Sequence, residues 1–308
     1  MKINKSYAIN IVGIAIMLFS LIFIAKAFSS FDIEFSSLLS PKYALLLGIS
    51  LMAATLAVMF SAFGWKATIE FFSGNKVNFQ SAFHIYAKSN LGKYLPGKVG
   101  NYVGRQLFGA SMGMSQTQLA VASVFEIMYS VTAALLLSFA SARNEICSII
   151  GSLFPAVNIL LIISAGIVLC ISMIFLFRKN IYLKEILMLI KTKDFWWLLL
   201  KTLLVVSVNF LMVGFAFVLI VGINAPITEH GIAVIFAAFV VSWLIGFTAP
   251  GIPGGIGVRE AVLTLMLSHL YSEKIILTAA VFQRLTMVGG DVMAWAICAM
   301  LIKLKKLK

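Results

Sequence analysis

Apolar residues in this chain fill whole runs rather than one stripe in three or four, so the helices they predict are hydrophobic all round. Six runs, over residues 8–25, 43–64, 118–140, 156–177, 196–221 and 275–302, approach or exceed the ~20 apolar residues that cross a hydrocarbon core. Two further stretches, 79–113 and 232–270, are each broken by a Pro-Gly turn and read as a helix, a break and a second helix. Such a break frees backbone N–H and C=O groups, which hydrocarbon tolerates only under a cover of protein or beside a water-lined cavity, so both stretches suit re-entrant hairpins. The expected fold is therefore an all-α integral membrane protein with six full spans and two hairpins. Segment 232–247 is long enough to cross nearly unaided, which keeps eight spans open. The first run resembles a signal peptide, and Ala25-Lys26-Ala27 imitates a cleavage site, but the run exceeds a typical apolar leader core and reads as an uncleaved anchor.

The two breaks match each other. Leu95-Pro96-Gly97-Lys98-Val99-Gly100 and Ile252-Pro253-Gly254-Gly255-Ile256-Gly257 share a pattern at an offset of 157 positions, and the same offset carries Ala122, Val124 and Phe125 onto Ala279, Val281 and Phe282. The chain is expected to be one polytopic domain over residues 1–308, with a first repeat over 1–140 and a second over 154–302. Paired breaks in corresponding places of two halves point to the central site of a transporter.

Composition agrees: of 308 residues 61% are hydrophobic and 11% charged, with a mean hydropathy of +1.04, which excludes a soluble domain with a polar surface. A net charge of +13 would suggest nucleic acid in a soluble chain, but the basic residues lie in short connections between apolar runs, so no nucleic-acid partner is expected. They orient the helices instead. With the N-terminus in the cytoplasm, that side receives Lys2, Lys5, Lys66, Lys76, the cluster from Arg178 to Lys193 and the tail from Lys303. The other side keeps Lys26, Lys42, Arg143 and Lys274. An odd number of spans between the hairpins then puts them on opposite sides, making the halves inverted repeats with both termini cytoplasmic. Cys147, Cys170 and Cys298 and the three histidines are scattered, so no metal site and no cofactor are expected.

Charges inside apolar runs are few and costly. Glu126 lies in the third full span and Asp291 deep in the last, with Arg284 seven residues earlier on the same helical face. Either Arg284 and Asp291, or Glu126 and one arginine, neutralise each other and lock helices, or the set faces a cavity. Through the 157 offset, position 126 corresponds to Gln283 beside Arg284, which favours a common site for Glu126 and Arg284. After the second turn come Val258-Arg259-Glu260. Free N–H groups at that helix start, with Arg259, make an anion seat, while Glu260 either joins it or caps the helix. Lys93, Lys98 and Arg105 surround Pro96-Gly97 similarly. Gly97, Gly100 and Gly104 either serve the site or form a small-residue packing seam. The expected site residues are Lys93, Pro96, Gly97, Arg105, Glu126, Pro253, Gly254, Gly255, Gly257, Arg259, Glu260, Arg284 and Asp291, with the arginines on phosphate. Glu126 and Asp291 are assigned either to a substrate amino group or to balancing the arginines.

Lys93-Tyr94-Leu95-Pro96-Gly97-Lys98-Val99-Gly100 with Arg105, and Pro253-Gly254-Gly255-Ile256-Gly257-Val258-Arg259-Glu260, resemble the signature of the lysylphosphatidylglycerol synthase transmembrane-region family. The resemblance spans the chain and implies a lipid flippase domain of a bacterial cytoplasmic membrane. Its best-known relatives move aminoacyl-phosphatidylglycerol and carry a soluble transferase domain, for which this chain has no segment after Lys308. Stand-alone members of the family serve glycan-lipid pathways.

The expected function is non-enzymatic translocation of a lipid with an anionic phosphate, either a phospholipid or a polyprenyl-linked lipid. A lipid-synthesising enzyme is the candidate protein partner, and an oligomer is allowed. The alternative is an accessory subunit that scaffolds a lipid or glycan synthase. A membrane transferase using polyprenyl-phosphate donors fits less well, because the loops are too short for its acid or metal site.

Overall fold

The structure, a computed structural model, describes residues 41–94, 100–153, 189, 191–249, 255 and 257–306. The expected spans at 8–25 and 156–177, and Pro96, Gly97, Lys98, Pro253 and Gly254 of the turns, lie outside these residues. Among the described residues the chain is helical throughout: α1 (Pro41–Ser73), α2 (Phe79–Asn90), α3 (Gly100–Gly109), α4 (Gln116–Leu153), α5 (Lys193–Asn224), α6 (Glu229–Thr248), α7 (Val258–Leu267) and α8 (Glu273–Lys306). One-turn 3₁₀ segments, Leu91–Tyr94 and Ala110–Met112, follow α2 and α3.

Among the described residues five stretches are long and apolar enough to cross a membrane: Tyr43–Ser73, Gln116–Arg143, Lys193–Asn224, Glu229–Thr248 and Glu273–Leu301. The chain is a multi-pass membrane protein. Its outer faces carry Leu45, Met52, Leu204 and Met300 in the open, while Phe125, Phe195, Phe210, Phe217 and Phe282 fill the interior. Hydroxyls that would be unsatisfied in hydrocarbon turn back onto their own helices. Thr68, Ser123, Ser138 and Thr202 each donate to the carbonyl four residues earlier. Helix starts are set by side-chain caps: Asn78 accepts from the Gln80 N–H, Thr192 from that of Phe195 and Thr228 from that of Gly231.

Helices α1 and α5 run antiparallel along each other. Tyr43 at the start of α1 donates to Asn224 at the end of α5, Asn209 reaches Ser61 at 2.7 Å midway, and Phe71 meets Phe195 at the far end. Both broken stretches fold as hairpins. In the first, Gly92 lies so close to the backbone of Gly100 that a methyl on it would sit 2.5 Å from that carbonyl carbon. Lys88 on α2 also lies over the Phe108 ring on α3. In the second, Gly231 at the start of α6 stands against Tyr271 beyond α7, so the chain leaves where it entered.

The second hairpin has one arm of span length, as the apolar run 232–247 allowed. At ~1.5 Å per residue, the 20-residue α6 reaches ~30 Å, the thickness of a hydrocarbon core, whereas the 12-residue α2 reaches only ~18 Å. The hairpins are therefore unequal, and α6 is span-length although its partner arm brings the chain back.

Packing follows one scheme twice. Helix α1 packs on α2 and α4, α2 on α3, and α3 on α4. Likewise α5 packs on α6 and α8, α6 on α7, and α7 on α8. Across the halves α4 touches α5 and α6 as α8 touches α1 and α2, and α1 and α5 face each other.

Candidate functional site

Between the hairpins and the long helices lies a cavity of about 250 Å³. An apolar wall comes from α5 and α6, through Val206, Phe210, Phe239, Trp243 and Phe247, with the Trp243 ring stacked on Phe247 and edge-on to Phe210. The rest of the lining mixes apolar residues such as Val58, Ile127 and Met287 with a polar side that bears six of the expected residues: Lys93, Arg105, Glu126, Arg259, Arg284 and Asp291. Tyr86, Asn90, Tyr94, Asn101 and Tyr102 join them.

Arg105, only 1% exposed, forms an ion pair with Glu126 of α4. Its guanidinium lies 4.1 Å from the centroid of the Tyr86 ring and 5.5 Å from that of Tyr102, so aromatic faces solvate the cation where water does not reach. Tyr86 donates its hydroxyl to the other Glu126 oxygen at 3.0 Å.

Asp291 on α8 collects three groups from the end of the first hairpin. Asn90 Nδ2 donates at 2.7 Å, the Lys93 ammonium lies at 2.6 Å, and the Tyr94 hydroxyl donates to the same oxygen as Lys93.

Arg284, also on α8, serves the second hairpin. It forms an ion pair with Glu260 and donates to the Gly255 carbonyl at 3.0 Å. Glu260 in turn accepts from the Gly257 N–H at 2.8 Å, so it caps α7 and holds Arg284 together. The mutual neutralisation of Arg284 and Asp291 does not occur, since each faces a different hairpin, whereas the other pairing that reading allowed, Glu126 with an arginine, does occur through Arg105. Gly255 and Gly257 hold positive φ, 68° and 82°, and shape the chain entering α7.

Arg259 differs from these cations. Among the described residues no carboxylate pairs with it, and its Nε, like that of Arg105, is buried without a hydrogen-bond partner. Room for its stem comes from α6, where a methyl on Gly246 would sit 2.5 Å from Arg259 Cγ. Among the described residues the charges lining the site thus resolve into three ion pairs, Arg105 with Glu126, Lys93 with Asp291 and Arg284 with Glu260, and one cation left over, Arg259.

The tyrosines and asparagines of this wall were not anticipated from the sequence. The available signal was the pair Asn90 and Asn101 on either side of the first turn, since amides at membrane depth are as selective a mark as charges. Among the described residues no cluster of His, Cys, Asp and Glu suits a metal ion.

The family model for the lysylphosphatidylglycerol synthase TM region matches residues 10–290, and the chain belongs to this family. No curated protein matches it. Family membership ties the chain to a lipid-related function in a membrane.

Proposed function

From that membership and from the charge left over in the cavity, we propose that the protein translocates a lipid bearing an anionic phosphate, leaving its bonds intact. The observation that carries this reading is Arg259. An arginine cannot shed its charge, and a cation held at membrane depth without a carboxylate costs stability. A phosphate entering the cavity would complete the fourth pair, with the guanidinium fork matching its oxygens two at a time. The apolar wall of α5 and α6 suits the part of the lipid next to the headgroup. A scaffold that only holds an enzyme gains nothing from such a residue.

The charges of the connections support cytoplasmic termini, in a bacterial cytoplasmic membrane. The two hairpins, each pinned to α8, are the elements on which alternating access would turn. In proteoliposomes containing acyl-labelled phosphatidylglycerol, Arg259→Ala should abolish movement between leaflets while the protein stays folded. Arg259→Lys should restore part, since a point charge lacks the planar fork. Full activity in Arg259→Ala would remove the phosphate site from this cavity.

A further inference from the structure

The same cavity bears on what hangs from the phosphate. The two carboxylates that line it, Glu126 and Asp291, are each matched by a cation of the protein, as is Glu260 behind Arg284. A substrate ammonium would have to displace the buried Arg105 or the partly exposed Lys93 to reach a negative charge, leaving a second unmatched cation in a site that already holds Arg259. What the wall offers instead is neutral polarity. Asn101 on α3 is 9% exposed and lines the cavity, and among the described residues its Oδ1 has no hydrogen-bond partner. A buried amide oxygen without a donor is costly unless something supplies one. The aromatic ring of Tyr102 lies beside it, an apolar face of the kind on which a ring or chain of CH groups can rest.

Resting on the reading of the protein as a translocator, we infer that the cavity selects a phosphate whose headgroup is uncharged and carries hydroxyl groups, a polyol or glycosyl phosphate, and disfavours a headgroup bearing an ammonium. The phosphate pairs with Arg259 and a headgroup hydroxyl donates to Asn101 Oδ1. The net positive charge of the site stays balanced by the phosphate alone.

The test compares three lipids with identical labelled acyl chains in proteoliposomes: phosphatidylglycerol, phosphatidylinositol and lysyl-phosphatidylglycerol. Phosphatidylinositol controls for size, being bulkier than phosphatidylglycerol and free of added cationic charge. The expected result is movement of the first two at rates about tenfold or more above the third, the factor that one unmatched polar contact commands. Asn101→Asp, nearly isosteric, supplies the missing carboxylate and should narrow or reverse that ratio. Asn101→Leu should slow both hydroxylated lipids. Lysyl-phosphatidylglycerol moving as fast as phosphatidylglycerol, or faster, overturns the selectivity while leaving translocation intact. Movement of none of the three removes the translocator reading itself, and the inference with it. If Asn101→Asp does not fold, the wild-type ratio and Asn101→Leu decide.

Discussion

Glu126 and Arg259 are both charged side chains at the wall of one cavity, yet removing their charges should move stability in opposite directions. Glu126→Gln leaves Arg105, 1% exposed, with aromatic rings but no anion. Breaking a buried pair from one side costs about 3–5 kcal/mol, more than losing both partners together. In detergent, Glu126→Gln should therefore melt well below the parent, and adding Arg105→Leu should recover much of the loss. An unchanged melting temperature in the single variant would show that the pair does not hold α3 to α4. Arg259→Ala abandons no partner and should melt no lower than the parent, even as lipid movement is lost. The costly charges were legible in the sequence because hydrocarbon makes any charge conspicuous. Their pairing was not. The seven-residue spacing does put Arg284 and Asp291 on one face of α8, but their partners arrive from hairpins 24 and 201 positions away.

Pinning both hairpins makes α8 the element on which the site depends. Arg284 holds Glu260 and the Gly255 carbonyl, while Asp291, two turns along, holds Asn90, Lys93 and Tyr94. Asp291→Asn keeps the size of the side chain but loses the ion pair to Lys93. It should release the first hairpin alone. Hydrogen exchange should accelerate in the peptide covering Leu91–Tyr94, while Glu229–Thr248 and Val258–Leu267 exchange as in the parent. Equal acceleration in both hairpins would mean general loosening rather than a local latch. At this scale the two Pro-Gly breaks were readable from the sequence, because proline and glycine interrupt an apolar helix wherever they fall together. The length of α6 was legible as well, since 232–247 is apolar enough to cross nearly unaided, whereas the first arm of 79–113 is short and polar. Hydrophobicity measures whether a segment can cross, whereas Gly231 against Tyr271 shows that this one is paired into a return.

In the whole molecule, exchanging α1–α4 with α5–α8 carries every packed pair between these helices onto another, and α1 and α5, which exchange, run antiparallel. These two facts together support an inverted relation between the halves, as the 157-residue offset and the loop charges suggested. The buried ion pairs follow the scheme with their polarity reversed. In the first half the arginine is on the hairpin and the carboxylate on the long helix, Arg105 with Glu126. In the second the carboxylate is on the hairpin, Glu260 with Arg284. A fixed-offset comparison of residue identities passes over such an exchange, because neither position keeps its residue while the pair keeps its job. An inverted relation predicts a geometry that can be probed from outside. Lys76 follows α1 and Lys191 precedes α5, at the end where Phe71 meets Phe195, whereas Lys274 starts α8 near Tyr271 and Gly231, at the end where α6 begins. Single cysteines at these positions, in a chain with Cys147, Cys170 and Cys298 replaced, should divide accordingly. An impermeant maleimide should label position 274 on intact cells, and positions 76 and 191 only after permeabilisation. Reversal of all three would turn the molecule over in the membrane and leave its internal relation untouched. Labelling of 76 and 191 from opposite sides would break the antiparallel pairing of α1 and α5, and with it the inverted repeat on which alternating access depends.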